Sequence, residues 1–259
     1  MSGQEEVVGE MPWSVDGPVP RPVDRRRFVA LLNQHLVVDP ARTAVVTIDC
    51  HRGHLDPEVA TMPVAPEAAA GVVARVRRLL EFARGRGLPV IHVILQNRVL
   101  PDGTPEPMRN PFWRAVEEVG QMLTPEREST ISRHNLAGSV QTELMPELGP
   151  APTDIVITTK RRLSIFRETD LDLTLRELGV DTLVLVGINT NTCVQCAAFE
   201  ALNRDLRVIV LADGVHSMYG DDLHVFALQN IARCLGWVLT VDQLIEKVEP
   251  SRVREAARA

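Results

Sequence analysis

From Thr43 onward, short apolar runs alternate with longer stretches of helical periodicity. The runs are TAVVTID (43–49), PVIHVIL (89–95), DIVITT (154–159), TLVLVG (182–187), RVIVLAD (207–213) and WVLT (237–240). They are rich in β-branched residues, and the three at 154–159, 182–187 and 207–213 are too continuous to keep one face in water. Such runs predict parallel strands buried on both faces. Between the first two runs, residues 65–87 place apolar side chains at helical spacing and end on Gly87, a fitting C-terminal stop. Further helical patterns cover about 169–179, 193–204 and 221–235. The alternation predicts an α/β fold, a three-layer doubly wound sheet of about six mainly parallel strands with helices on both faces.

Two stretches break the rhythm. Residues 1–40 form a Pro-rich N-terminal extension, with one short helix expected in PVDRRRFVALLNQHL, and residues 41–259 read as a single domain. Between 97 and 140, VLPDGTPEPMRNPFW is dense in turn formers, and an insertion of that length predicts a lid over a pocket. An apolar fraction of 45% with 24% charged residues is that of an ordinary globular protein. The net charge of −6 is spread without long single-sign runs, which argues against nucleic acid as a partner. No 18 apolar residues run together, and the first 20 residues lack the basic start and apolar run of a secretory signal. The expectation is a cytoplasmic protein without a membrane partner. Cys50, Cys193, Cys196 and Cys234 do not form a disulfide framework. The C-x-x-C at 193–196 has no second pair and no histidine at finger spacing, so Cys196 reads as a packing residue rather than half of a redox or zinc site.

Ligand crevices in parallel α/β sheets lie beyond the carboxyl ends of the strands. Asp49, Gln96 and Asn97, Lys160, the segment GINTNTC and Asp213 fall there in turn. Taken singly, an Asp after a strand is a turn residue, a Lys in KRR is a solvated charge, and a Cys opening a helix is a packed small residue. Convergence at one edge changes that reading. Cys193 stands where a loop gives way to a helix, so free N–H groups and the dipole predict a thiolate. Lys160 would lower its pKa further, Asp49 would take and return a proton, and loop amides would hold an oxyanion.

The segments T-A-V-V-T-I-D at 43–49, K-R-R-L-S-I-F-R-E-T-D-L at 160–171 and G-I-N-T-N-T-C-V at 187–194 resemble, in order and spacing, the isochorismatase-like cysteine hydrolases. That family includes nicotinamidases, N-carbamoylsarcosine amidase, ureidoacrylate hydrolase and biuret hydrolase. The resemblance covers roughly residues 40–245. It implies Asp49 as base, Lys160 as triad lysine and Cys193 as nucleophile, with a cis peptide at Ile188–Asn189 and an oxyanion hole from the N–H groups of Asn189 and Cys193. It also implies a homo-oligomer, dimer or tetramer.

Departures from the family pattern narrow the substrate. The chain reads DCHRGHLD after the first run, so His51 and His54 are expected to bind substrate rather than a metal, since Asp49 is needed as a free base. Nicotinamidases carry an Asp-x-His…His metal site where this chain reads HVILQNRVLPDG, so neither a metal nor another cofactor is expected. Gln96, Asn97, Phe112 and Trp113 are further substrate-binding candidates, the aromatic pair by stacking on a planar group. Arg109 and Asn110 are candidates for a carboxylate or carbonyl contact, whereas Arg161 and Arg162 read as surface charges. Asn189 replaces the small residue frequent at its place, adding a polar contact or narrowing the pocket.

Together these features predict a cysteine-dependent amidohydrolase that cleaves a C–N bond of a small amide, ureide or carbamoyl compound through a thioester. The alternatives are an ether-cleaving isochorismatase, a branch that typically lacks the cysteine, and a catalytically silent binding relative. A nucleotide-binding domain is disfavoured because DCHRGHLD has neither a G-x-G-x-x-G nor a phosphate-loop lysine.

Overall fold

A computed structural model describes residues 22–107, 109–123, 125 and 131–248. Its elements in chain order are α1 (Arg26–Gln34), β1 (Thr43–Ile48), α2 (Arg52–Leu55), α3 (Pro66–Gly85), β2 (Val90–Leu95) and α4 (Pro111–Leu123). They continue with β3 (Ile155–Lys160), α5 (Leu171–Glu177), β4 (Thr182–Ile188), α6 (Gln195–Leu202), β5 (Arg207–His216), α7 (Asp221–Asn230), β6 (Trp237–Leu239) and α8 (Val241–Val248). The strands form one sheet in the order β3-β2-β1-β4-β5-β6, every pairing parallel. The α/β doubly wound expectation is met.

Strand alternation sends neighbouring side chains to opposite faces, which makes two cores. Val45, Val184, Val186 and Ile209 pack under α3 and α8 against Val76, Leu79, Leu80 and Leu244. Val46, Ile48, Leu183, Leu185 and Val210 face α5 and α6 through Leu171, Leu175, Ala197 and Ala201. Covering both faces explains why β1 and β4 are buried at every position. Each buried Val, Leu or Ile contributes about 1.5–3 kcal/mol relative to exposure.

Several expectations change on contact with the fold. DIVITT was expected to be buried on both faces, but β3 is an edge strand with Val156, Thr158 and Thr159 exposed. The β-branched composition marks a strand without telling an edge from a centre. Asp213 lies inside β5, which runs on to His216, and its carboxylate accepts from Val241 N at 2.9 Å on the α3/α8 side. The helix expected from 193 opens as a wide π-turn over Thr190–Val194 before α6 begins, and α7 likewise widens over Ile231–Leu235. The insertion contains α4, an amphipathic helix whose pattern is masked by the turn formers before it. Residues 1–21 of the predicted extension lie outside the described residues. The expected short helix is α1, held against β6 by Asn33 Nδ2 donating to Val238 O at 3.1 Å and Trp237 Nε1 to Leu32 O at 3.3 Å. Among the described residues no helix is long and apolar enough to cross a membrane.

Candidate active site

Three strands deliver three reactive groups to one point. Asp49 follows β1 with a left-handed φ of 53°, which turns the chain sharply away from the sheet. Its backbone N–H donates to Val93 O at 2.9 Å, and its Oδ1 accepts from Leu95 N at 2.7 Å, so the carboxylate is fixed to the end of β2. Lys160, the last residue of β3, is fully buried, and its long stem carries Nζ back across the sheet end. Nζ donates to Asp49 Oδ2 at 2.5 Å and to Cys193 Sγ at 3.3 Å. The lysine therefore bridges carboxylate and thiol.

The turn holding Cys193 is built from close approach and side-chain pins. Gly187 has φ +118°, and a Cβ there would stand 2.0 Å from Ile48 O, so only glycine lets β4 pass the end of β1. The Ile188–Asn189 peptide is cis, as the resemblance implies. The Asn189 carbonyl accepts from the N–H groups of Thr192 and Val194, both at 3.1 Å, closing the π-turn. Asn189 Oδ1 accepts from Met218 N at 2.9 Å, and Ser217 Oγ donates to Asn191 Oδ1 at 2.7 Å. Thr190 Oγ1 and His224 Nδ1 are 2.8 Å apart, adding α7 to the clamp.

Electrostatics correct the thiolate expectation. Burial raises the Cys193 pKa, Lys160 opposes it, Asp49 adds to it, and the balance lies at about 11. The resting group is a thiol. For Lys160, burial disfavours the charge, but Asp49 and then Cys193 outweigh it, leaving the pKa raised. The lysine stays an ammonium. The N-terminal position of Cys193 was legible in the chain; the depth of its burial was not.

Above the thiol lies a cavity of about 510 Å³, walled in part by His54, Asn97, Trp113, His134, Asn189 and Tyr219. Of the sequence-predicted binding residues, His54, Asn97 and Trp113 line it. His51 is fully buried behind the wall, its ring stacked at 4.7 Å on His54. Gln96 also lies outside the wall and accepts from Arg161 through its carbonyl. Phe112 is 64% exposed and meets only the edge of Trp113 among aromatic rings, so its expected stacking role is not supported. Arg109 and Asn110 lie away from the wall, with Asn110 accepting from Phe112 N at 3.0 Å at the start of α4. The Asn189 side chain is turned to Met218 rather than left as an open donor-acceptor pair.

Sequence reasoning missed His134, Tyr219 and the arginines after Lys160. Nothing near His134 in the chain marks it, because it reaches the site through Asn97, whose Nδ2 donates to the His134 carbonyl at 2.7 Å. Arg161 and Arg162, expected at the surface, both line the cavity. Burial lowers the His134 pKa to about 4, and those of His51 and His54 fall well below 6.5 for the same first reason. Asn135 Nδ2 and His134 Nε2 lie 2.8 Å apart, within hydrogen-bond distance. The wall histidines are thus neutral hydrogen-bonding groups. Among the described residues no cluster of three or more His, Cys, Asp or Glu is arranged to hold a metal.

The chain is 35% identical over 215 residues to the ureidoacrylate amidohydrolase RutB of Methylobacterium radiotolerans, covering 80% of this chain and 79% of that one. The same enzyme from Stutzerimonas stutzeri is 30% identical over 251 residues, covering 93% and 94%. Among solved structures, a cysteine hydrolase from Pseudomonas syringae pv. phaseolicola superposes with a TM-score of 0.68 at 25% identity, covering 83% of this chain and 95% of that one. N-carbamoylsarcosine amidase from Thermoplasma acidophilum gives 0.59 at 27% identity, covering 78% and 97%. The model of the isochorismatase domain matches residues 43–243, most of the chain's length. The chain therefore belongs to the isochorismatase domain family.

Proposed function

We propose that the protein is an amidohydrolase that cleaves a carbon–nitrogen bond of a small amide, ureide or carbamoyl compound through a thioester on Cys193. The observation that carries this reading is the buried contact chain Asp49–Lys160–Cys193, whose thiol end lines the cavity. The similarity to ureidoacrylate amidohydrolases over most of both chains supports the substrate class.

Cys193 Sγ attacks the carbonyl carbon as its proton passes to Asp49. A thiol of pKa about 11 is a poor nucleophile until that transfer, so the nearby base is required. Lys160 stabilises the charge that appears on sulfur and keeps the carboxylate oriented. The backbone N–H groups of Asn189 and Cys193 are the proposed donors to the tetrahedral oxyanion. Collapse breaks the C–N bond, the leaving nitrogen takes the proton from Asp49, and ammonia departs. Water, deprotonated by Asp49, then attacks the thioester and frees the thiol. His54, Asn97, Trp113 and His134 shape the binding cavity.

Ammonia release from a panel of small amides and ureides, with mass spectrometry for a trapped acyl group, tests the mechanism. Cys193→Ala is expected to lose activity by on the order of a thousandfold or more, and the wild-type adduct should map to Cys193. A variant as active as wild type would exclude the thioester and favour ether-type hydrolysis without covalent catalysis. Silence of both proteins across the panel, with no adduct, would favour a binding relative.

A further inference from the structure

The charges lining the cavity do not cancel. Glu106 lies 3.7 Å from Arg98 and Glu168 lies 3.4 Å from Arg167, so each acid on the wall already faces a guanidinium. Arg161 and Arg162 line the same wall, yet their partners are backbone carbonyls: Arg161 Nη1 donates to Gln96 O and Arg162 Nη1 to Arg161 O, each at 2.6 Å. No carboxylate of the described residues pairs with either. Asp49 and Lys160 form a pair that is neutral as a whole, and burial keeps His54 and His134 uncharged. Counted over the described residues, the wall is therefore left with a surplus of two positive charges, in a chain whose net charge is −6.

Arg161 is the better placed of the two. It is half-buried where Arg162 is exposed, and the bond to Gln96 O steadies one arm of its fork while other N–H donors remain for a ligand. A planar guanidinium matches a carboxylate with two parallel hydrogen bonds. Strands β2 and β1 lie between β3, which leads into Arg161, and β4, which leads into the Cys193 turn. One molecule lying across the cavity can thus present different groups to the guanidinium and to the thiol.

We propose that Arg161, supported by Arg162, holds a carboxylate on the substrate, making it a specificity-determining residue that selects anionic small amides or ureides over neutral ones of the same shape. The words amide and ureide rest on the function proposed above; the anion site rests on the wall charges alone.

The test compares 3-ureidopropionate with its neutral methyl ester, using wild type, Arg161→Gln and Arg161→Lys. Binding of 3-ureidopropionate to Cys193→Ala, with and without Arg161→Gln, is followed by calorimetry. Wild type is expected to favour the acid in kcat/KM. Arg161→Gln should raise KM for the acid roughly ten- to a hundredfold with a much smaller effect on kcat, collapsing the preference, and Arg161→Lys should restore part of it. Equal KM shifts for both compounds, or a wild-type preference for the ester, would overturn the inference while leaving the hydrolase reading intact. If no protein releases ammonia, the hydrolase reading falls and calorimetry decides: weaker binding in the double variant supports the anion site, and equal or undetectable binding overturns it.

Discussion

At Cys193, burial raises the thiol pKa, Lys160 pulls it down and Asp49 pushes it up again, with the outcome near 11. Iodoacetamide labelling of Cys193 should therefore keep accelerating with pH well beyond the range of an ordinary cysteine. Lys160→Met removes the group that favours the thiolate, so labelling at pH 8 should slow and ammonia release should be lost. It also leaves the Asp49 carboxylate buried without its cation, which is expected to reduce stability by about 3–5 kcal/mol in urea unfolding. Faster labelling in the variant would contradict this account. The positions of all three groups were legible because each follows an apolar run that had to be a strand. The protonation of the thiol was not, since a helix start speaks for thiolate and only the packing around it speaks for thiol. Arg161 shows the converse error: a basic residue next to a lysine looks solvated, yet it lies half-buried on the cavity wall, whereas Arg162 is exposed as expected and reaches the same wall.

Among the elements, the β1–β4 junction has the least room for change. Gly187→Ala would set a methyl group against Ile48 O and force a left-handed φ on alanine. The expected loss is more than about 2 kcal/mol, with a lower Tm and lost activity, because the Cys193 turn follows directly. A Tm within a degree or two of wild type would show that β4 can move aside. Strand and helix order could be read from periodicity because both faces of the sheet are covered, which makes the central runs continuous. The edge position of β3 could not, since Ile, Val and Thr suit either place. Nor could the π-turn at Thr190–Val194, which is set by pins from Asn189, Ser217 and His224, all but the first distant in sequence.

For the molecule as a whole, the buried neutral histidines tie stability to pH. An unfolded histidine titrates near 6.5, whereas burial holds His134 at about 4 and His51 and His54 well below 6.5. Between those values the unfolded chain binds protons that the folded chain refuses. Stability should therefore fall as pH drops below about 6.5, by up to roughly 1.4 kcal/mol per pH unit for each such histidine. The contribution of His134 is complete near pH 4. Urea midpoints measured from pH 8 to pH 5 should decline in wild type and decline less steeply in His134→Gln. An unchanged slope would mean that His134 titrates like an exposed ring. The charge count shows the same dependence on packing, since −6 over the chain gave no hint of a basic cavity wall.

The margin of the sheet has one last consequence. Asp49 and the Cys193 turn follow neighbouring central strands, but Lys160 comes from β3, the outermost strand on that side, after the long excursion between Leu95 and Ile155. A molecule whose margin has frayed keeps its thiol and its carboxylate and loses the cation that joins them. Catalysis is thus a property of the finished fold, and a nascent or partly opened chain carries an ordinary exposed thiol without the base and cation that would turn it to use.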